Sequence, residues 1–367
     1  MRASTSRMIV DISAIIANFE IIREMVPGSE CAPVLKADAY GTGVGTVAPA
    51  LFEVGAKTFF VAFLSEVEAL LNVLPSNSEF RIYVLEGFTR GFEGHFRNPH
   101  VLPVLNTNDQ VLRWEKFVNT FMHPFPAAVH LDTGMTRLGF LPRDFSNTFS
   151  DKKRFKFANI GMVMSHLSSA DVKGATANEV QLKQFTSLTE GIEGIERSLS
   201  NSAGAFLDDR FAFDVVRPGL SLYGGNPTPW TENRMNRAIR FEARILQISE
   251  IAAGVTVGYG GKFVSTSPMR LAALGIGFAD GLPRSLSCTG ALIQYDEKNL
   301  PIIGRVSMDS MVVDISSLPN NCLTEGSCVE IFPHRNSINE FAEVAGTIPN
   351  EVLVHLGKRS ERYYVKQ

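Results

Sequence analysis

The sequence predicts an α/β protein, a (β/α)8 TIM-type barrel followed by a C-terminal, mostly β domain. Three observations support this fold class. Up to about residue 225, short apolar runs alternate with segments of helical spacing. No GxGxxG motif follows the first strand, which removes the main support for a dinucleotide-binding open sheet. After Gly225, short apolar runs are separated by turn residues, which is typical of a β domain.

Eight strand–helix units fit a closed barrel better than an open sheet. The predicted barrel strands are 33–36, 58–63, 81–85, 100–105, 127–131, 160–165, 199–201 and 215–218. The segments between them with apolar residues three and four positions apart are predicted helices, at 12–25, 44–54, 66–74, 109–121 and 178–192.

The segment Asn226-Pro-Thr-Pro-Trp230 is rich in turn residues and predicts a linker. It places the barrel in residues 1–230 and the β-rich domain in residues 231–367. The predicted strands of the second domain are 241–251, 255–259, 270–277, 291–295, 302–306, 310–315 and 327–331, followed by a helix at 337–345 and a polar tail.

Composition argues against several classes of protein. Hydrophobic residues make up 45% and charged residues 20%, as in globular proteins with a large core. The net charge of -3 and the absence of a long run of either sign argue against nucleic acid or anionic membrane as the main partner. The four cysteines, Cys31, Cys288, Cys322 and Cys328, lack metal-ligand spacing and indicate ordinary thiols, with no metal site. No signal-peptide or membrane-spanning pattern is found, so we expect a cytoplasmic protein.

Lys36 is the most informative residue. It directly follows the apolar run that forms the first predicted strand and precedes the turn Tyr40-Gly41-Thr-Gly43. A lysine at the end of a buried strand is unfavourable unless its amine has a chemical use, because desolvation opposes its charge. A lowered pKa makes such an amine a good imine-forming nucleophile and a good proton acceptor. The alternative is a lysine that reaches solvent from the strand end.

Other distinctive residues also follow predicted barrel strands, at the C-terminal ends where barrel enzymes place their chemistry. Six strand ends contribute, and these side chains can converge only if the barrel closes. The residues are Lys36, Tyr40, Leu85, Asp132, Arg137, His166, Asn201, Ser202, Arg217, Gly219 and Leu220.

Together these residues suit an aldehyde cofactor that carries a phosphate. Lys36 could hold the aldehyde as an imine. A phosphate could be bound by Ser202, the Tyr40 hydroxyl and the backbone amides around Gly219 and Leu220. His166 could lie against a heteroaromatic ring, Arg217 could donate to a ring nitrogen, and Arg137 could bind a carboxylate.

Each of these residues also has a structural interpretation. His166 could be a hydrogen-bonded core histidine, Arg217 a partner in a strand-end salt bridge, and Asp132 the start of an Asx turn. Any one of these interpretations is reasonable alone. It is not reasonable that distinctive residues at all six converging strand ends have only structural roles, so the set favours a functional site.

The second domain offers two further candidates. Tyr259 lies between glycines in Val257-Gly-Tyr-Gly-Gly261, which allows close approach to a ligand or partner. Met308 lies in Gly304-Arg-Val-Ser-Met-Asp309, where a strand runs into a turn. The alternatives are a half-buried packing tyrosine and a simple β-turn.

Several motifs, in order along nearly the whole chain, resemble those of the alanine racemase family. The matching segments are Val34-Leu-Lys-Ala-Asp-Ala-Tyr-Gly41, Asp132-Thr-Gly-Met-Thr-Arg-Leu-Gly139, Ser165-His166, Asn201-Ser-Ala203, Arg217-Pro-Gly219, Val257-Gly-Tyr-Gly260, Gly277-Phe-Ala-Asp-Gly281 and Gly304-Arg-Val-Ser-Met-Asp309. The resemblance implies a pyridoxal 5'-phosphate enzyme with a barrel and a C-terminal β domain. It also implies a homodimer that acts on a small amino acid and supplies D-alanine for peptidoglycan.

The resemblance also implies a role for each matching residue. Lys36 would carry the cofactor and act as one base, and Tyr259 would be the opposite base, contributed across the dimer. Arg137 and the Met308 backbone amide would hold the substrate carboxylate. The residues implied in cofactor binding are Lys36, Tyr40, Leu85, His166, Ser202, Arg217, Gly219 and Leu220.

The chain departs from the family pattern at four positions. Phe278 replaces a tyrosine near the substrate entrance, and Thr42 replaces a histidine in the Tyr-Gly-x-Gly turn. His130 replaces a lysine that can be carbamylated and can support the carboxylate-binding arginine. Lys358 stands where an active-site tyrosine is expected.

Three rival functions remain open at this point. A serine or broad-specificity amino-acid racemase would use the same scaffold. A decarboxylase of the same barrel type, such as ornithine decarboxylase, is disfavoured by the absence of a Gly-Gly-Gly phosphate loop and by the Val-Gly-Tyr259-Gly motif. A non-catalytic carrier of pyridoxal phosphate would resemble the barrel alone, and the β domain argues against it.

Overall fold

The computed structural model of the chain describes residues 4–121, 126–287, 289, 292–332, 337–357 and 359–366. The chain forms two compact units. The barrel unit comprises Ile16–Leu222 and Asn226–Arg234, and the β unit comprises Met1–Ile15, Tyr223–Gly225 and Met235–Gln367. Lys358 and Cys288 lie outside the described residues.

The elements follow the predicted alternation in the barrel unit and the predicted succession of strands in the β unit. The strands are β1 (Ser6–Asp11), β2 (Glu30–Cys31), β3 (Thr58–Val61), β4 (Arg81–Val84), β5 (Val101–Leu105), β6 (Ala127–His130), β7 (Ile160–Met164), β8 (Glu196–Ser198), β9 (Val215–Val216), β10 (Ile239–Ile251), β11 (Thr256–Val257), β12 (Phe263–Val264), β13 (Met269–Leu274), β14 (Leu292–Tyr295), β15 (Lys298–Ile303), β16 (Met311–Asp314), β17 (Cys328–Glu330) and β18 (Glu361–Val365). The helices are α1 (Ile12–Met25), α2 (Val44–Glu53), α3 (Val67–Leu71), α4 (Asn108–Val118), α5 (Pro142–Thr148), α6 (Lys153–Phe157), α7 (Thr176–Thr189), α8 (Ser337–Ala345) and α9 (Pro349–His355).

Eight parallel strands close the barrel. Strands β3 to β8 form one parallel sheet in sequence order, and β2 pairs with β9 in a second, two-stranded sheet. Single parallel bridges join the two sheets, between Val34 and Phe60 on one side and between Asn201 and Arg217 on the other. The buried Phe59, Tyr83 and Val129 belong to these strands and contribute to the apolar core of the unit. Closure brings all eight C-terminal strand ends to one face.

The first barrel strand is shorter than predicted. The prediction of 33–36 contains Pro33, which has no N–H to donate to a neighbouring strand. The regular strand therefore ends at Cys31, and the bridge at Val34 with backbone hydrogen bonds to Pro218 and Phe60 continues the extended chain toward Lys36. The prediction for strand seven also lies too late, because β8 begins with the charged Glu196 and Arg197 and so lacks an apolar signal.

The opposite, N-terminal face of the barrel is held by an ion cluster. The Arg81 guanidinium is 2.7 Å from the Glu196 carboxylate and 2.6 Å from the Glu30 carboxylate, and its Nε donates to Thr58 Oγ1 at 2.8 Å. These residues begin strands β2, β3, β4 and β8, so one arginine ties four strands together. The ion cluster has a structural role, because the active sites of barrel enzymes lie at the opposite, C-terminal face.

The β unit is built on an eight-stranded sheet in the order β13-β16-β15-β14-β17-β10-β1-β18. Strand β1 pairs antiparallel with β10 and parallel with β18, so both ends of the chain enter this sheet. The sequence pattern predicts no strand at either position. In β18 every residue is half-buried or exposed, so the apolar run that would predict a strand is missing. No helix within the described residues is long and apolar enough to cross a membrane.

Candidate active site

Lys36 begins a left-handed turn at the C-terminal face of the barrel. The four residues that follow it have φ values of 53° at Ala37, 57° at Asp38, 54° at Ala39 and 56° at Tyr40. For L-residues with a Cβ, this conformation costs about 1–2 kcal/mol per residue. Such a turn persists only where its surroundings fix it, and strain of this kind is concentrated at functional sites.

Local hydrogen bonds hold the turn. The Thr42 hydroxyl donates to the Ala39 carbonyl at 2.5 Å, and the Val44 backbone N–H donates to Asp38 Oδ1 at 2.8 Å. The Gly41 N–H donates to the Ala37 carbonyl at 2.8 Å. Thr42 is buried and replaces a histidine of the family pattern, so in this chain the position closes the turn.

The Lys36 amine lies in a half-buried, electropositive environment. Burial is the main cause that lowers the pKa of Lys36, the charge of Arg137 lowers it further, and the charge of Glu66 opposes both. The amine nitrogen lies 6.0 Å from the centre of the Tyr40 ring. A lowered pKa leaves more of the amine unprotonated, which is the form that attacks a carbonyl or accepts a proton.

A small polar cradle faces Tyr40. The Ser202 hydroxyl oxygen accepts a hydrogen bond from the Gly219 N–H at 2.8 Å, and the Ser221 hydroxyl is buried without a hydrogen-bond partner among the described residues. A Cβ at position 219 would overlap the Tyr40 hydroxyl, so only glycine allows this approach. Leu220 opens a 3₁₀ turn, so its N–H has no acceptor within that turn. Hydroxyls and backbone amides converging in this way suit an anion.

Arg217 is a buried cation without a carboxylate partner among the described residues. It is 4% exposed, and its guanidinium donates to the Ser198 hydroxyl and to the carbonyls of Ser165 and Leu199. Burial lowers the pKa of Arg217 to about 9, so it remains charged at neutral pH. The salt-bridge interpretation of Arg217 is therefore wrong for the described structure, since all its hydrogen-bond acceptors here are neutral.

His166 lies in the same electropositive group. Burial and then the charges of Arg217, Arg137, His130 and Lys36 hold the pKa of His166 well below its usual range. Its Nε2 is 3.5 Å from the Asn201 amide nitrogen. A neutral imidazole is a better neighbour for a flat, electron-poor ring than an imidazolium would be. The electrostatic influence of residues from three other strand ends, those of β2, β6 and β9, on one imidazole also indicates that the predicted set converges.

Asp132 shapes the loop that carries Arg137. Its Oδ1 accepts hydrogen bonds from the backbone N–H groups of Gly134 and Met135 at 2.9 Å and of Thr136 at 3.0 Å. The Asx-turn interpretation of Asp132 is thus correct, and the same turn presents Arg137. Arg137 is exposed, and no acceptor among the described residues is hydrogen-bonded to its guanidinium, which leaves its fork free for a carboxylate.

His130 lies beneath this loop, with one ring nitrogen unused. Asn106 Nδ2 donates to the carbonyls of Leu85 at 3.0 Å and Val104 at 2.9 Å, so Asn106 Oδ1 is an acceptor. His130 Nδ1, 3.0 Å from that oxygen, therefore carries the proton. His130 Nε2 is then a buried lone pair with no partner among the described residues. A Cβ at Gly139, at the end of the Arg137 loop, would lie only 3.0 Å from His130 Cγ, so the glycine allows the loop to approach this ring.

His130 is expected to destabilise the folded chain as the pH falls. Burial lowers the pKa of His130 to about 4 in the folded chain, while an unfolded chain keeps the ordinary value of 6.5. Between these values the unfolded chain binds a proton that the folded chain does not, so stability is present above pH 6.5 and is lost below it. By pH 5 the loss amounts to about 2 kcal/mol.

Urea unfolding at pH 7 and pH 5 would measure this loss. His130→Gln should show a smaller decrease in unfolding free energy between the two pH values than the unmodified chain. His95→Gln is the matched control, because His95 is exposed and its replacement should leave the decrease unchanged. An equal decrease in all three proteins would contradict the assignment of His130.

Tyr259 is presented on the surface of the β unit. It is 70% exposed and begins a 3₁₀ turn directly after β11. Val257, two residues earlier, is anchored in an apolar cluster with Leu271 and Ile303. Gly258 and Gly260 have φ values of 74° and 71°, a region that favours glycine. The phenol is therefore exposed while its backbone is held, which is the arrangement expected of a side chain that serves a partner or ligand.

Met308 lies in a turn that is tied to its neighbour by Arg359. It is 55% exposed, and the Ala279 N–H donates to its carbonyl at 3.0 Å. The Arg359 guanidinium donates to the Asp280 carboxylate at 2.9 and 2.8 Å and to Asp309 at 2.7 Å. The turn of Met308 and the turn that carries Phe278 are therefore held as one piece.

Sequence reasoning missed three residues that position this site. Glu66 accepts hydrogen bonds at the Lys36 turn, Asn106 fixes the His130 tautomer, and Gln181 joins two loops. Gln181 Nε2 donates to the His166 carbonyl at 2.9 Å and to Thr133 Oγ1 at 3.2 Å. Glu66 and Asn106 follow barrel strands, so their positions could have indicated a role in the site. Gln181 lies within helix α7, and its position indicates no such role.

Fold and site place the chain among the two-domain enzymes that join an α/β barrel to a C-terminal β domain. Profiles of two protein domains match it, alanine racemase, N-terminal domain, over residues 10–227 and alanine racemase, C-terminal domain, over residues 238–364. The chain belongs to the alanine racemase family.

Individual relatives agree with this membership over their full length. The chain is 38% identical to the alanine racemase of Methylobacterium nodulans, covering 98% of this chain and 96% of the relative. It is also 38% identical to a catabolic alanine racemase of Agrobacterium fabrum, covering 99% and 93%. The alanine racemase of Bartonella henselae with covalently bound pyridoxal phosphate superposes with a TM-score of 0.92 at 34% identity, covering 99% and 100%.

Proposed function

We propose that this chain is a pyridoxal-phosphate-dependent alanine racemase that interconverts L- and D-alanine. The observation that carries the proposal is the Lys36 amine, whose pKa is lowered by burial, on the same barrel face as an anion cradle and three further site residues. Membership of the alanine racemase family and the covalently bound pyridoxal phosphate of the Bartonella henselae relative support it.

The residues present fit pyridoxal 5'-phosphate. The phosphate would be held by the Tyr40 and Ser202 hydroxyls and the backbone amides of Gly219 and Leu220, where the buried Ser221 hydroxyl lacks a partner. Arg217, which stays protonated, would give the pyridine nitrogen a hydrogen bond but not a proton. His166 and Leu85 would lie beside the ring. When bound, the cofactor would supply an electron-withdrawing ring that makes the substrate Cα hydrogen acidic.

Racemisation needs a proton removed from one face of Cα and delivered to the other. Lys36 would serve one face as an amine that accepts or gives a proton. The phenol of Tyr259 would serve the opposite face, contributed by the partner subunit of a homodimer. Arg137 would bind the substrate carboxylate in fork geometry with help from the Met308 backbone amide, which fixes Cα between the two bases.

The proposal extends to the organisation of the protein. The barrel domain, residues 1–230, would carry the cofactor, and the domain formed by residues 231–367 would contribute Tyr259 and Met308 to the partner subunit's site. The product D-alanine would supply cell-wall peptidoglycan, whose precursors are assembled in the cytoplasm. A serine or broad-specificity racemase is the alternative on this scaffold.

Optical rotation tests the reaction. Purified protein loaded with pyridoxal phosphate should racemise L-alanine, and the same measurement with L-serine determines how broad the substrate range is. L-ornithine followed by carbon dioxide release tests for a decarboxylase. Loss of rotation with L-serine but not with L-alanine would overturn the assignment of alanine as substrate.

Borohydride reduction tests the position of the cofactor. Reduction of the loaded protein followed by peptide mapping should place the pyridoxyl group on Lys36, because its amine is the half-buried one beside the cradle. Lys36→Ala should give no label at any other site. A pyridoxyl group on Lys57 or Lys262 in the unmodified chain would contradict the site assignment.

A further inference from the structure

Glu66 lies just after the barrel strand that neighbours Lys36, and its carboxylate is surrounded by backbone N–H groups. Oε1 accepts a hydrogen bond from the Ala37 N–H at 2.5 Å. Oε2 accepts from the N–H groups of Ala62 at 2.7 Å and Phe63 at 3.0 Å. Both carboxylate oxygens are therefore occupied by backbone donors.

The bond to Ala37 reaches the residue directly after the lysine. Ala37 is the first residue of the left-handed turn, with φ 53° and ψ 49°. Its N–H is held by a side chain from outside the turn, whereas the bonds made by Thr42 and Val44 are local. A backbone conformation that costs about 1–2 kcal/mol per residue depends on such external support. Glu66 thus links the strained turn to the regular end of β3.

We propose that Glu66 is a positioning residue for Lys36: it holds the left-handed turn that presents the lysine, and its charge acts on the lysine amine. The consequence for cofactor capture rests on the proposed function, while the action on the turn and the amine does not. The hydrogen bonds of Glu66 go to Ala37, Ala62 and Phe63, and none in the described structure joins it to the cradle or to the Arg137 loop.

The charged and titratable groups around the Lys36 amine set the sign of the expected effect. Arg137 opposes the ammonium form, as does burial, and Glu66 favours it. The Tyr40 ring lies 6.0 Å from the amine nitrogen, and the nearby His166 is held neutral. Removing the Glu66 charge therefore leaves the two lowering effects unopposed, and the pKa of Lys36 should fall.

Glu66→Gln is an informative variant because of how the carboxylate is used. A glutamine amide has one acceptor oxygen and one donor nitrogen. It can satisfy Ala37 on one side or Ala62 and Phe63 on the other, but it must direct N–H against N–H at the remaining side. Glu86→Gln is the matched control, since the Glu86 side chain accepts one backbone hydrogen bond, from Leu64 at 2.6 Å, which a glutamine oxygen can accept equally well.

The test measures the reactivity of Lys36 in the cofactor-free, full-length chain. Trace acylation of lysines over a range of pH, followed by peptide mapping, gives the pKa of each amine. Glu66→Gln should lower the pKa of Lys36 relative to the unmodified chain, and Glu86→Gln should leave it unchanged. At a pH above the Lys36 pKa of both proteins, where the amine is unprotonated in each, pyridoxal phosphate capture followed by absorbance should be weakened about tenfold in Glu66→Gln, because the turn that presents the amine loses a hydrogen bond to a charged group.

Two results would overturn the proposal. One is a Lys36 pKa in Glu66→Gln that equals that of the unmodified chain. The other is rapid hydrogen exchange at the Ala37 amide of the unmodified chain. This measurement does not depend on whether a variant folds. Because Ala37 is exposed, its amide should be protected only through its bond to Glu66. Neither measurement uses racemase activity, so a chain that failed to racemise alanine would still give an answer about Glu66.

Discussion

Replacing Tyr259 with phenylalanine is expected to lower racemase turnover by ~10²–10⁴, the scale of a lost general acid–base group. The phenol and the Lys36 amine are proposed to serve opposite faces of Cα, so each direction of the reaction needs both. The variant should still exchange the Cα hydrogen of D-alanine with solvent deuterium through Lys36. Exchange at L-alanine should be far slower, because the base for that face is missing.

The control for Tyr259→Phe is Tyr364→Phe. Tyr364 is also partly exposed in the β unit and has no proposed role, so this variant should keep its turnover. Exchange must be compared on protein loaded with cofactor, since loss of cofactor would imitate loss of a base. If both enantiomers exchanged equally fast in Tyr259→Phe, a single base would reach both faces, and the two-base proposal would be wrong.

Mixing two inactive chains is expected to restore activity. Lys36→Ala lacks one base and Tyr259→Phe lacks the other. If Tyr259 acts across a homodimer, a mixed dimer contains one site with an intact Lys36 and an intact tyrosine. Random exchange makes half the dimers mixed, and each has one intact site of two, so activity should reach about a quarter of the unmodified level.

The size of this recovery distinguishes the arrangements. Subunit exchange must first be verified, for example by mass spectrometry of differently tagged chains. The matched control is a mixture of Lys36→Ala with the chain that carries both substitutions, which contains no complete site and should stay inactive. If activity did not recover after verified exchange, the site would not be shared between subunits as proposed.

The barrel and most of the site could be predicted from sequence because their signals are local. Alternating apolar strands and helical spacing gave the barrel, and polar residues directly after strands gave Lys36, Arg137 and Arg217. Strands β1 and β18 could not be predicted, since β18 lacks an apolar run and their pairing joins residues from opposite ends of the chain. Such long-range pairing leaves no pattern within a short window.

The backbone at Lys36 was also beyond prediction. Alanine, aspartate and tyrosine normally avoid positive φ, so nothing in Ala37-Asp-Ala-Tyr40 indicates a left-handed turn. The conformation is held by local hydrogen bonds and by one from the Ala37 N–H to Glu66, 29 positions away in sequence. His130 is a related case, because its unused nitrogen becomes apparent only once Asn106 fixes the tautomer. Residue types indicated where the chemistry lies, and tertiary contacts determine how it is arranged.

The two ends of the barrel differ in electrostatic character. At one end Arg81 is neutralised by two carboxylates, while at the other Arg217 has only neutral hydrogen-bond acceptors and Arg137 has none among the described residues. A chain with a net charge of -3 thus places two arginines that have no carboxylate partner among the described residues at one face of its barrel. Phosphates and carboxylates approaching that face are attracted, and other anions compete with them. At physiological ionic strength this attraction is screened over about 8 Å. It therefore orients an anion during the last steps of entry, and does not gather anions from the surrounding solution.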